Sequence, residues 1–141
     1  MKRDLGNGYQ LDDDAARIDH EAVHRFLSGE AYWALGRPRE VVDELIGGAA
    51  RVVGLYLGGE QVGFVRVVSD RHTMAYVADV YVLRDHRGQG LGGEMFRFAV
   101  EDGPFAGVRK WGLHTRDAHE LYRRYGFDEP TGRYMERWNE T

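Results

Sequence analysis

Apolar and polar positions recur with two different periods along this chain, and the switches between them mark the elements. Ile18, Ala22 and Phe26 recur at i, i+4, i+8, with Val23 and Leu27 widening the stripe, so a first amphipathic helix is predicted. Asp12, Asp13 and Asp14 offer caps for it, and residues 8–11 read as a short strand ahead of it. Residues 29–36 break the pattern. Pro38 suits the first turn of a second helix that buries Val41, Val42, Leu45 and Ile46 and ends at Gly47 and Gly48. Residues 51–57 and 61–68 are β-branched and aromatic runs around a Gly58-Gly59-Glu60 hairpin turn. Residues 73–83 add a further strand after the polar turn at Ser69, Asp70 and Arg71, which implies an antiparallel meander.

The period becomes helical again over residues 89–101, with Met95, Phe96, Ala99 and Val100 on one side and Gly103-Pro104 as the stop. Residues 108–115 are strand-like, and residues 118–125 are helix-like with Gly126 as C-cap. Phe127 onward, with residues 134–138, reads as a closing pair of strands. The expected order is βααββββαβαββ, a mixed α/β layered domain of α+β type on a central, mostly antiparallel sheet. A chain of 141 residues with 43% hydrophobic content is long enough for one such core, so residues 1–141 are read as a single domain.

Composition then removes function classes. The formal charge of −4 supplies no basic footprint, so nucleic acid is not an expected partner. There is no cysteine, which excludes disulfides, thiolate metal sites and cysteine acyl-enzyme chemistry. No apolar leader precedes the first elements, and no stretch approaches the roughly 20 apolar residues of a membrane span, so a cytoplasmic protein without a membrane partner is expected.

Chemistry concentrates in residues 75–100, a strand, a polar loop, a glycine-rich turn and a helix. In Arg87-Gly88-Gln89-Gly90-Leu91-Gly92-Gly93, four glycines let the backbone approach a ligand with its amides exposed, and the next helix points its positive end at the same place. A diphosphate fits such a turn. Gly88, Gly90 and Gly93 also satisfy the dinucleotide fingerprint G-x-G-x-x-G, but that fingerprint needs the first strand of a parallel sheet and an acidic residue about 20 positions on. Here the turn follows a meander, and that position is Lys110. No G-K-[ST] follows the glycines, which excludes a P-loop.

A second motif is His20-Glu21-Ala22-Val23-His24, a literal H-E-x-x-H with Glu44 as a conceivable third zinc ligand. Its histidines lie opposite the apolar stripe, in the first turn of a short helix, with Arg25 beside the second. A solvated helix face is expected, and no metal.

The chain resembles the GNAT superfamily of N-acetyltransferases. Arg87, Gly90 and Gly92 match that family's Gln/Arg-x-x-Gly-x-Gly/Ala motif, and Val80-Tyr81-Val82 resembles its splayed fourth strand. The run from Ala118 through Leu121, Tyr122 and Gly126 to Phe127 resembles its A-x-x-L-Y-x-x-x-G-F helix. The resemblance implies a sheet with splayed strands 4 and 5, and acetyl-CoA as co-substrate. It implies transfer of the acetyl group to a primary amine of a small molecule or peptide by direct attack in a ternary complex, and it leaves a homodimer open. The alternative is an acetyl-CoA-binding sensor or interaction module without turnover.

The resemblance also assigns residues. Gln89, Gly90, Leu91, Gly92 and Gly93, with Arg87 and Gly88, would hold the diphosphate, and Val80, Tyr81 and Val82 would pair with the pantetheine arm as an added strand would. The amide of Val80 would serve the oxyanion. Tyr122, a phenol with an ordinary pKa of about 10, is the expected general acid. Asp79 is the leading base, with His72 and His114 in reserve, although an ordinary aspartate near about 3.9 is a weak one. Many family members carry an asparagine where this chain has Thr115, so Thr115, Arg116 or Asp117 would take over that cofactor contact. Tyr32, Trp33 and Arg37 are the expected acceptor-binding residues, the aromatic pair cradling an amine and Arg37 holding a carboxylate. Tyr81 and Trp111 read equally well as core.

Overall fold

The central hairpin forms as the sequence requires. In the computed structural model, which describes residues 1–139, β3 (Arg51–Leu57) and β4 (Glu60–Ser69) pair antiparallel across the two-residue loop Gly58-Gly59. Gly58 adopts φ +61°, the left-handed conformation such a tight loop demands. Next comes β5 (Ala75–Val82), antiparallel to β4. The link between them is tied by Asp70, whose carboxylate accepts the Thr73 hydroxyl and the amides of His72, Thr73 and Met74. These donors hold its carboxyl well below the usual range.

At the N-terminus the single short strand expected at residues 8–11 is a hairpin. β1 (Lys2–Gly6) and β2 (Tyr9–Asp12) pair through a turn in which Asn7 and Gly8 both take positive φ, the Asn-Gly chemistry of a tight hairpin. β2 then pairs with β3. The strand carrying Val80 is therefore the fifth of a six-stranded sheet ordered β1-β2-β3-β4-β5-β6, with β6 spanning Trp111–Leu113.

The acidic run also divides its labour differently from the expectation. Asp19 caps α1 (His20–Glu30) by accepting the Ala22 amide at 3.0 Å, while Asp14 caps the 3-10 turn at Ala15–Arg17. Asp13 pairs with Arg51, and Asp12 is buried with Arg17. In α2 (Arg39–Gly48) Val42 and Ile46 are buried and Val41 is exposed, with Pro38 at the cap position.

The helices divide into two layers. α1 and α2 bury Val23, Phe26, Leu27, Val42 and Ile46 against Val52, Phe64 and Tyr81 on one face of the sheet. α3 (Leu91–Glu101) buries Met95, Phe96, Phe98 and Ala99 against Val53, Val65 and Val77 on the other. Buried Arg51 fixes the far end of α3, its Nη1 donating to the carbonyls of Phe98, Ala99 and Asp102. α4 (His119–Arg123) lays Tyr122, and the following Tyr125 and Phe127, against Phe96. Among the described residues no helix is long and apolar enough to cross a membrane.

Two irregularities shape β5. The register with β4 slips between Arg66 and Val67, leaving Ala78 opposite no residue. This bulge sends Val77 into the α3 core and Tyr81 into the α1 core although they are four positions apart. In addition, β6 runs parallel to β5 and pairs with it only at Ala75, Tyr76 and Val77. β6 ends at Leu113, opposite Val77, so the second half of β5 is left without a partner on that side, where the splay is expected.

The expected closing pair of strands is absent among the described residues. From residue 124 to 139 no strand forms, and Tyr134, Met135 and Trp138 are exposed. Their polar atoms bond locally instead, the Tyr134 hydroxyl and the Trp138 ring N–H both donating to Glu136. The mixed α/β class and the mostly antiparallel sheet are as expected. The order differs at both ends and in the middle, where three strands (β3, β4 and β5) stand between α2 and α3 instead of the four expected.

Candidate functional site

A cleft of about 490 Å³ opens where β5 leaves β6. Its walls are the end of α1 with the loop after it, the second half of β5, the turn into α3, and α4.

The turn supplies amides. Gly88 and Gly90 adopt φ +83° and +78°, where a side chain costs about 1–2 kcal/mol, yet nothing lies within 4 Å of where either Cβ would stand. Conformation rather than crowding requires these two glycines, and the space in front of them is open. Gly93 has the opposite reason, since a Cβ there would lie 2.7 Å from the Tyr125 hydroxyl. The first internal bond of α3 runs from the Glu94 amide to the Gly90 carbonyl at 3.1 Å. The amides of Leu91, Gly92 and Gly93 therefore have no acceptor within the helix and sit at its positive end. This donor set fits a diphosphate.

The strand supplies an edge. The Leu83 amide donates to the Val62 carbonyl at 2.8 Å, and Val82 stands opposite Gly63, which fixes the phase of the ladder. Tyr81 thus bonds back to Phe64, while the amides and carbonyls of Val80 and Val82 point toward the splay. Arg87 confirms that phase, its Nε donating to the Val82 carbonyl at 2.8 Å. The Tyr81 ring stacks on Phe26 at 3.9 Å and is buried, so its side chain is a floor and not a reacting group.

Tyr122 closes the cleft from α4. It is half-buried, its ring is 4.9 Å from Phe96, and burial first, then Tyr32 and Asp117, push its hydroxyl above the ordinary value of 10.0. It stays protonated throughout the neutral range. At the outer wall Tyr32 and Trp33, both partly exposed, meet edge to face at 5.1 Å.

Of the expected residues, Val80, Tyr81, Val82, Arg87, Gly88, Gly90, Leu91, Gly92, Gly93, Tyr122, Tyr32 and Trp33 line this one cleft. Gln89 does not, its side chain turning back toward Tyr9 and the His86 carbonyl. Thr115 does not either, its hydroxyl accepting the Ala118 amide at 3.0 Å to start α4. Arg116 lies over the Tyr32 ring at 3.9 Å.

Asp79 is a different residue from the one expected. It is 1% exposed and off the cleft, and its carboxylate accepts from Trp33 Nε1 at 2.7 Å, Arg66 Nε at 2.7 Å and Arg37 Nη1 at 3.1 Å. Both oxygens are occupied by fixed donors, two of them cations, which leaves no lone pair suited to taking a substrate proton. Asp79 anchors the loop carrying Trp33 and Arg37 to β5. The same pairing engages Arg37, which is not among the residues lining the cleft. Of the reserve bases, His72 is in an exposed loop and His114 bonds to Tyr76, and neither lines the cleft. Trp111 packs against the α3 core.

The H-E-x-x-H histidines carry no metal-site geometry. His20 bonds to Asp43 at 2.7 Å, and among the described residues no three His, Asp or Glu side chains converge.

Sequence reasoning missed three titratable residues of the cleft, Glu30, His86 and Tyr125. His86 immediately precedes the glycine-rich motif, and its Nδ1 shares a hydrogen bond of 2.8 Å with the Tyr9 hydroxyl. Glu30 ends α1, and its approach to the cleft depends on the path of the loop that follows.

Residues 48–129 match the GNAT acetyltransferase domain family. A Gibberella zeae protein named as an acetyltransferase is 28% identical over 135 residues, which span 81% of this chain and 75% of that protein. The crystal structure of a protein assigned to the GNAT family from Xanthomonas campestris superposes with TM-score 0.86 at 36% identity, covering 93% of each chain. A Deinococcus radiodurans structure, also described as an acetyltransferase, superposes at 0.75 with 21% identity over 97% of this chain and 94% of that one, and shares the fold.

Proposed function

The chain belongs to the GNAT acetyltransferase family, and on that premise we propose that it transfers an acetyl group from acetyl-CoA to a primary amine of a small molecule or peptide. The observation that carries this reading is the convergence on one cleft of the unpaired β5 edge at Val80, the free amides of Leu91 to Gly93, and a protonated Tyr122.

Each part has a distinct task. The α3 amides and the open turn at Gly88 and Gly90 hold the diphosphate. The outward edge of β5 aligns the pantetheine arm by main-chain bonds, and the Val80 amide donates to the thioester oxygen as negative charge grows on it. Acetyl-CoA supplies an activated acyl group with a thiolate leaving group. The amine nitrogen forms its bond to the acyl carbon as the carbon–sulfur bond breaks, and Tyr122 gives its proton to the departing sulfur. The substrate ammonium gives up one proton to water before attack, and the second proton, shed by the nitrogen as the amide forms, returns through water to the Tyr122 oxygen. No residue forms a covalent intermediate, in keeping with a chain that has no cysteine.

The test is acetyl-CoA-dependent thiol release against a panel of amines, polyamines, amino acids, aminoglycosides and peptides. Turnover with at least one amine, and none with the matching alcohol, is expected. Saturable acetyl-CoA binding with no turnover on any acceptor would contradict transfer and favour a sensor module.

A further inference from the structure

Two kinds of charge line the cleft: the α3 amides, Arg87 and His86 come from the turn after β5, and Glu30 comes with Tyr32 and Trp33 from the end of α1 and the loop after it. Among the described residues Glu30 is the only carboxylate that lines the cleft, and it enters no ion pair. It sits at the last position of α1, an eleven-residue helix with no basic side chain in its final turn. A carboxylate there adds to the negative end of the helix dipole, a placement that costs stability and that no neighbouring cation offsets. Arg116, the cation that approaches this wall, stacks over the Tyr32 ring instead.

Two further facts narrow what this wall can receive. Arg37, the one residue expected to hold an acceptor carboxylate, is engaged by Asp79. Trp33 is oriented by its own bond to Asp79, which sets its ring edge to face with Tyr32 and keeps both partly exposed. A fixed aromatic wall beside an unpaired carboxylate recognises a cation carried on an apolar body.

We infer that the acceptor is a cationic amine with an apolar or aromatic body and no carboxylate next to the amine, its ammonium drawn to Glu30 and its body held by Tyr32 and Trp33. The inference rests on the acetyl-transfer reading and names the class of acceptor for the same cleft. Glu30 binds and orients the ammonium before proton loss. Amino acids carrying a free α-carboxylate bind more weakly, because Glu30 repels the carboxylate and Arg116, the cation at this wall, is stacked on the Tyr32 ring.

Calorimetric titration tests this without turnover. Phenethylamine, phenethyl alcohol and phenylalanine are titrated into the protein saturated with CoA, using the wild type, Glu30→Gln and Glu30→Lys. The wild type is expected to bind phenethylamine about threefold to fivefold more tightly than phenethyl alcohol, the effect of one exposed charge pair. That preference should vanish in Glu30→Gln, and Glu30→Lys should favour phenylalanine over phenethylamine. Equal affinity of the wild type and Glu30→Gln for phenethylamine, or no binding of the amine by the wild type, would overturn the inference. CoA affinity, measured by first titrating CoA alone into each protein, reports separately on the acetyl-transfer reading. Glu30 is exposed, so neither substitution disturbs the core.

Discussion

Replacing Tyr122 by phenylalanine is expected to lower kcat by about 100-fold or more while leaving acetyl-CoA affinity within about threefold, the range that loss of a positioned general acid produces. The substitution deletes one oxygen. The ring, which packs 4.9 Å from Phe96 and 6.4 Å from Phe127, keeps its apolar contacts, so the fold is unaffected. The sign of the pH dependence follows from burial. Because the Tyr122 pKa is raised above 10.0, the proton that the mechanism uses is present at all lower pH, and loss of the acid begins only as pH climbs past that value. The wild-type profile should therefore show no Tyr122 limb at neutral or mildly alkaline pH. Steady-state kinetics of the two proteins from pH 6 to pH 10 check both statements. Unchanged kcat in Tyr122→Phe would remove the residue from the chemistry.

Asp79→Ala is expected to be the most destabilising single substitution near the site, by about 3–5 kcal/mol, with the melting temperature lowered by roughly 10 °C. The reason is what it leaves behind. Arg66 and Arg37 would each lose the one carboxylate partner they have among the described residues, and Trp33 its hydrogen-bond acceptor, in a place where the aspartate itself is 1% exposed. Freed from β5, the loop carrying Tyr32 and Trp33 would lose its fixed orientation, so the KM for the acceptor should rise more than the KM for acetyl-CoA. Thermal melting and two-substrate kinetics on Asp79→Ala separate the possible roles. A normal melting temperature with abolished kcat would mean that Asp79 is a base after all.

Local signals made much of this fold legible. The Gly58-Gly59 loop between two β-branched runs, and the glycines before α3, act through neighbours in sequence, and both elements stand where the pattern put them. β1 escaped because Lys2, Arg3 and Asp4 are polar residues on an edge strand, although Asn7-Gly8 was a readable turn. The bulge at Ala78 left no trace, since the alternation of apolar residues continues through it while the faces exchange. The fate of Asp79 was invisible for another reason. Its partners Arg66, Arg37 and Trp33 lie 13 to 46 positions away, and only the folded sheet brings them to one carboxylate. Glu30 illustrates the same limit, as a helix-ending glutamate that acquires meaning only once β5 and α4 face it. The tail failed in the other direction. Residues 134–138 carry the aromatic residues of a strand, but β6 pairs with β5 over only three residues, and Glu136 takes the polar atoms of Tyr134 and Trp138.

The central claim is that one cleft holds acetyl-CoA along the open edge of β5 and on the free amides of α3, and amide chemical shifts of the labelled protein titrated with acetyl-CoA test it most directly. The predicted result is saturable displacement of the Val80, Val82, Gly90, Leu91, Gly92 and Gly93 amide signals, with Tyr122 moving in parallel and the residues of α2 still. Displacement centred instead on the second cavity, of about 460 Å³ and lined by His20, Ile46 and Phe105, or no saturable displacement at all, would contradict it.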